Sequence, residues 1–187
     1  MDNDVSAGSN TTTLGQLALG LTLLAFGLGH TRMIDGLTEA DAGPLAAYVG
    51  GVALFVAGLL AFRDRDGFTG TAYAGLGALW FTWSVGDLGS TDATGLFLLL
   101  FALVALSLTL GASGAATLTR ATYGLLCAAM LLLAVASFGD SGGLAKAGGW
   151  VAAVGGLVAW YAATAALAHW PTTLTGRAAG RGVTATG

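Results

Sequence analysis

Six stretches of this chain, near residues 14–34, 44–62, 69–87, 93–113, 119–139 and 146–170, carry no Asp, Glu, Lys or Arg near their middle. Each is about 19–25 residues long, the length an α-helix needs to cross a hydrocarbon core roughly 30 Å thick. Inside lipid each backbone N–H and C=O must be paired within its own segment, so a helix is the structure open to such a run. Composition agrees: 9% of the 187 residues are charged and 55% are hydrophobic. A soluble domain carries about a quarter charged residues, and the polar surface here is too small to cover a globule in water. The expected fold is all-α, a polytopic membrane protein whose six transmembrane helices form one bundle. Residues 1–13 would be an N-terminal tail, 14–170 the transmembrane domain and 171–187 a C-terminal tail.

Turn-formers and charges divide the stretches. Pro44 stands where the second helix would begin, Arg63-Asp64-Arg65-Asp66-Gly67 separates the second from the third, and Asp87 to Asp92 the third from the fourth. Small residues from Ser113 mark the next boundary, up to Arg120, and Pro171 follows the last span. No cleavable signal peptide is expected, since residues 1–14 are acidic and Thr-rich and lack a basic start. The 31 glycines suit helices that approach closely without a hydrophobic force between them. The single cysteine, Cys127, lies in an apolar run and is expected to be a small core residue.

Lysine and arginine set the orientation. With the N-terminus inside, Arg63, Arg65, Arg120, Arg177 and Arg181 are cytoplasmic, and Arg32 and Lys146 are outside. Six acids (Asp35, Glu39, Asp41, Asp87, Asp92 and Asp140) then face outward, and both termini are cytoplasmic. Trp150 and Trp170 bracket the last span, about 30 Å apart along a helix, as an aromatic belt would. The net charge of −3 is spread over loops and gives no nucleic-acid footprint.

Ionisable groups inside a membrane are costly and usually functional. Their absence here argues against a pump with an intramembrane carboxylate relay. His30 and His169 sit near span ends and are expected to be interfacial or packing histidines. No metal-ligand spacing, nucleophile motif or cofactor signature appears, so catalysis is not expected. Neutral polar groups remain, among them Thr22, Tyr48, Thr71, Tyr73, Ser84, Tyr123 and Tyr161. Singly, each could bond a backbone carbonyl or a neighbouring helix; together they could line a narrow path for a small solute. The segment Asn10-Thr11-Thr12-Thr13-Leu14-Gly15 could cap the first helix and turn its positive end toward the cytoplasmic mouth.

Several pieces occur in order: Asn10-Thr11-Thr12-Thr13-Leu14-Gly15-Gln16; Tyr48-x-Gly50-Gly51 with Ala57-Gly58-Leu59-Leu60; Phe68-x-x-Thr71-Ala72-Tyr73-x-x-x-Gly77-x-x-Trp80; and Ala147-Gly148-Gly149-Trp150 through Ala159-Trp160-Tyr161. They resemble the acetate uptake transporter family, also called the succinate–acetate permeases, over nearly residues 10–170. The first piece is a degraded form of the family's Asn-Pro-x-Pro-Leu-Gly-Leu signature. The resemblance implies a six-helix protomer, a homo-hexamer in the lipid bilayer, and a path for acetate within each protomer, by proton symport or channel-like flow. It also implies a constriction of phenylalanine, tyrosine and leucine, whose matching positions here are Leu19, Leu76 and, across a gap, Ala129. None keeps the family residue, and Ala61 replaces the acidic residue after the second span. Asn10, Thr22, Tyr48, Thr71 and Tyr161 are the expected polar lining. Two other readings stay open at this stage: a channel for urea or short amides, and a non-transporting membrane protein derived from this fold.

Overall fold

The computed structural model describes residues 6–36, 39–86 and 88–170. Among them are six long helices: α1 (Ser6–Thr31), α2 (Ala40–Arg63), α3 (Gly67–Val85), α4 (Thr91–Gly111), α5 (Thr117–Phe138) and α6 (Gly142–Leu167). They fall on the six apolar stretches, within a few residues at most ends. Five are long and apolar enough to cross a membrane. The sixth, α3, is 19 residues long and diluted by Thr69, Thr71, Tyr73, Thr82 and Ser84. It nonetheless sends Ala72, Tyr73, Leu76 and Trp80 into the centre of the bundle.

Local chemistry sets the helix starts. The Asp66 carboxylate accepts from the Thr69 N–H at 3.0 Å, and the Ser90 hydroxyl from the Ala93 N–H at 3.1 Å. Each cap satisfies a donor that the first turn leaves unpaired. The α2 helix opens with a 3-10 turn at Glu39–Ala42 and widens to π geometry over Ala46–Ala53.

The start of α1 departs from expectation. The helix runs from Ser6, so Asn10 to Gly15 lie inside it and do not form its cap. The phenol of Tyr73 donates to the Thr12 carbonyl at 2.9 Å, and Thr11 Oγ1 donates to Asp64 at 3.2 Å. These bonds hold the polar extension of α1 against α3 and the α2–α3 turn. Residues 1–5 of the expected N-terminal tail, the C-terminal tail 171–187 with Arg177 and Arg181, and Asp87 lie outside the described residues.

The helices form a ring in the order α1, α6, α5, α4, α3, α2 and back to α1. The α1–α6 seam is the most extensive and the α3–α4 seam the lightest. Because connections alternate, α1, α3 and α5 all rise from the end that carries Asp66 and Ala116. One buried cluster fills the ring, including Leu19, Leu23, Phe26, Tyr73, Leu76, Trp80, Phe101, Leu126, Ala129, Met130 and Leu133. Aromatic rings meet edge-to-face across it, Phe26 to Trp80 at 5.1 Å and Trp80 to Phe101 at 5.3 Å. Large apolar side chains such as Leu59, Leu100, Leu103 and Val135 face outward, where lipid or another protomer would cover them.

Candidate functional site: two vestibules and a septum

A cavity opens at each end of the ring. The one nearer the N-terminus has a volume of about 780 Å³ and is walled by α1, α3, α5 and α6 through Gln16, Tyr73, Tyr123 and Ala162, among others. The other, about 710 Å³, is walled by parts of all six helices, including His30, Gly43, Trp83, Leu98, Ser137 and Ala145. We call them the inner and outer vestibules, after the orientation expected from the arginines.

The helical repeat builds the wall between them. Tyr73 lines the inner vestibule and Trp83 the outer one; the ten residues separating them span about 15 Å of α3. Tyr123 and Leu133 stand in the same relation on α5. Between these levels the interior is apolar. Leu19 and Leu76 each lie three residues beyond an inner-vestibule residue, Gln16 and Tyr73 respectively. Leu23, Trp80, Ala129 and Met130 follow one turn higher and are fully buried, or nearly so. The result is an apolar, fully packed septum between the two vestibules.

The structure brings Leu19, Leu76 and Ala129 into this one cluster. It also shows that Ala129 stands a turn above the other two, and that Leu126, three residues beyond Tyr123, occupies their level on α5. Sequence matching missed Leu126 because the gap before Ala129 hid the register. The stripe Tyr123, Leu126, Met130, Leu133, at helical spacing like Tyr73, Leu76, Trp80, Trp83, would have found it.

The five residues expected as polar lining stand elsewhere; none borders either vestibule. Tyr48 is 69% exposed and Tyr161 43% exposed, both on the outer surface of the bundle. Tyr48 falls off the buried stripe of α2, which runs through Ala47, Gly50, Gly51 and Leu54. Thr71 is exposed and donates to the Gly67 carbonyl at 2.8 Å, and Asn10 is exposed on the extension of α1. Thr22 is buried, but a Cβ on Gly50 would meet its Cγ2 at 2.5 Å, which places it in the α1–α2 seam. The polar groups that do line the vestibules include Thr12, Thr13, Gln16, Thr69 and Tyr123 within and Ser84, Thr94 and Ser137 without. Gln16 Nε2 donates to Thr119 Oγ1 at 2.9 Å across the inner vestibule. His30 lines the outer vestibule, its ring 4.3 Å from that of Phe26 and its Nδ1 2.9 Å from the Phe26 carbonyl oxygen. His169 borders the inner one.

Most helical hydroxyls bond back to a carbonyl in the preceding turn, as Thr82, Ser107, Thr109, Thr122 and Ser137 do. Two buried side-chain groups among the described residues have no partner: the Thr22 hydroxyl and the Trp80 indole N–H. An unpaired buried donor costs about 1–3 kcal/mol, so each invites an explanation.

Comparison with known proteins places this arrangement. Residues 3–175 match the sequence model of the GPR1/FUN34/yaaH family. Over 173 residues the chain is 27% identical to the glyoxylate pathway regulator of Yarrowia lipolytica, covering 86% of this chain and 64% of that protein. It is also 27% identical to the ammonia transport outward protein 2 of Saccharomyces cerevisiae, over 86% of this chain and 62% of the yeast protein. The chain thus spans less than two thirds of the length of these fungal relatives. To the succinate-acetate/proton symporter SatP of Escherichia coli it is 26% identical, over 83% of this chain and 86% of SatP. Among solved structures the bacterial acetate channel SatP superposes with a TM-score of 0.78 at 22% identity, covering 86% of this chain and 92% of that one. The two share a fold.

Proposed function

The chain belongs to the GPR1/FUN34/yaaH family, and from that premise we propose that it is a membrane channel or carrier for small monocarboxylates such as acetate. The path would run down the axis of each protomer, from the inner vestibule through the septum at Leu19, Leu76, Leu126 and Ala129 to the outer vestibule. One observation carries the reading: a cavity opens at each end of the six-helix ring, and the buried core between them is apolar. The names of the SatP relatives agree with it. By the same resemblance, the protein assembles as a homo-hexamer and moves solute without chemical conversion.

The septum bears on the form of the solute. It offers no fixed charge, and moving an ion through an apolar layer is costly. A carboxylic acid with a pKa of roughly 4–5 is mostly ionised at pH 7, so proton uptake at a vestibule would make flux proton-linked. Uptake of labelled acetate into proteoliposomes tests the reading. Flux above that of empty vesicles is expected. It should rise about tenfold per pH unit between pH 7 and 6 if the neutral acid crosses, and stay flat if the anion does. Vesicles holding folded protein that pass acetate no faster than empty ones would sink the proposal. Urea efflux measured in the same vesicles separates a monocarboxylate path from one for short amides.

Both termini are proposed to be cytoplasmic, which puts Arg63, Arg65 and Arg120 at the inner end. In intact cells a membrane-impermeant maleimide should label Asp92→Cys and spare Arg120→Cys. Native Cys127 is buried within α5 and should stay unlabelled. The opposite pattern would invert the topology.

A further inference from the structure

The indole N–H of Trp80 has no partner, and its position suggests one. Buried tryptophans ordinarily find an acceptor for the N–H; this one is fully buried and has none. Its ring lies in the buried cluster, in edge-to-face contact with Phe26 of α1 and Phe101 of α4, with the Trp83 centroid 6.1 Å away. Trp83 in turn lines the outer vestibule, one helical turn above. Trp80 also stands where α3 meets α4, the lightest seam of the ring. Thr22, the other unpaired group, differs in that it faces Gly50 in the α1–α2 seam and away from the axis.

We propose that the Trp80 indole N–H is the binding point for a small monocarboxylate inside the septum, donating to one oxygen of the carboxyl group as the solute passes. The inference rests on the transport reading and deepens it. An indole N–H is a donor only, so it suits an acceptor oxygen, on the acid or its anion, and offers nothing to an ammonium ion. The rings of Phe26 and Phe101 beside it give apolar contact to the methyl end of acetate. A lone neutral donor in apolar surroundings holds the solute long enough to orient it without the fixed cation that would trap an anion.

The test uses the full chain, labelled with ¹⁵N at its tryptophan indoles and purified in detergent micelles. The chain has five tryptophans, so five indole resonances are expected. That of Trp80 is identified by its loss in Trp80→Phe or, should that variant not fold, by elimination with single phenylalanine replacements of the other four. Sodium acetate should move the Trp80 resonance saturably, and sodium chloride should not. In proteoliposomes, folded Trp80→Phe should pass acetate about tenfold more slowly, the factor one hydrogen bond to a charged or strongly polar acceptor contributes. A Trp80 resonance that stays still under acetate, in protein whose vesicles conduct it, overturns the site. So does a folded Trp80→Phe that conducts like the parent. Parent vesicles that pass no acetate overturn the transport reading, and the proposed site with it.

Discussion

Replacing Gly27 by alanine should lower the thermal unfolding midpoint of the purified protein by several degrees, up to about 8 °C. The reason is the contact between α1 and α6, the first and last helices. A Cβ on Gly27 would sit 2.4 Å from the Ala153 nitrogen, and one on Gly156 would sit 2.5 Å from the Leu24 nitrogen. The four glycines of this seam pair in antiparallel register, Gly20 against Gly156 and Gly27 against Gly149, with seven residues between pairs on each helix. The obstructing atoms are backbone, so they cannot rotate aside, and the helices would have to separate. Overpacking of this kind costs about 1–3 kcal/mol. Alanine's better helix propensity returns up to about 1 kcal/mol, which is too little where the clash is this close. A protein of this size loses about 2–4 °C per kcal/mol. Gly75→Ala is the control: its Cβ would meet nothing within 4 Å, so propensity acts alone and the midpoint should hold or rise. If Gly27→Ala melts with the parent, the seam is looser than the structure shows.

This seam illustrates how much of the fold was legible in advance. The abundance of glycine predicted close helix contact, and hydropathy located the helices. Neither could say that Gly20 and Gly27 meet Gly156 and Gly149, because pairing of the first and last spans is a property of ring closure. The polar start of α1 misled for a related reason. Asn10 to Thr13 look like a cap locally, yet the helix continues back to Ser6, and Tyr73, 61 residues away, donates to the Thr12 carbonyl. Site residues divided by the same logic. Leu19 and Leu76, reached by matching the family's constriction, fall on the buried stripes of α1 and α3. Tyr48, Thr71 and Tyr161 were chosen for polarity without regard to phase, and they face outward. Residue type was visible in the sequence, whereas the direction each side chain takes needed the register of three helices at once.

Truncating Leu76 to alanine should raise acetate flux while lowering stability, and that opposition is the diagnostic. Leu76 is fully buried in the septum, level with Leu19 and Leu126. Removing three of its carbons leaves a cavity whose cost in a packed core is about 2–5 kcal/mol, so the midpoint should fall. The same cavity joins the path at its lowest apolar layer and shortens the dry segment a solute must cross. A barrier reduced by only ~1.4 kcal/mol gives on the order of a tenfold faster flux, well above the scatter between reconstitutions. Lactate, larger by one carbon and a hydroxyl, should gain more than acetate because the missing side chain relieves its extra bulk. Leu76→Tyr should move selectivity the other way, since the larger ring narrows the layer. Leu126→Ala should act as Leu76→Ala does; being neighbours in the cluster, the two are expected to combine non-additively. Ala129 cannot be tested by truncation, so Ala129→Leu takes its place and should slow both solutes. If folded Leu76→Ala carries acetate no faster than the parent, the septum is not the barrier. The resistance would then lie at one of the vestibule mouths, where Gln16 and Thr119 close on each other across the inner opening.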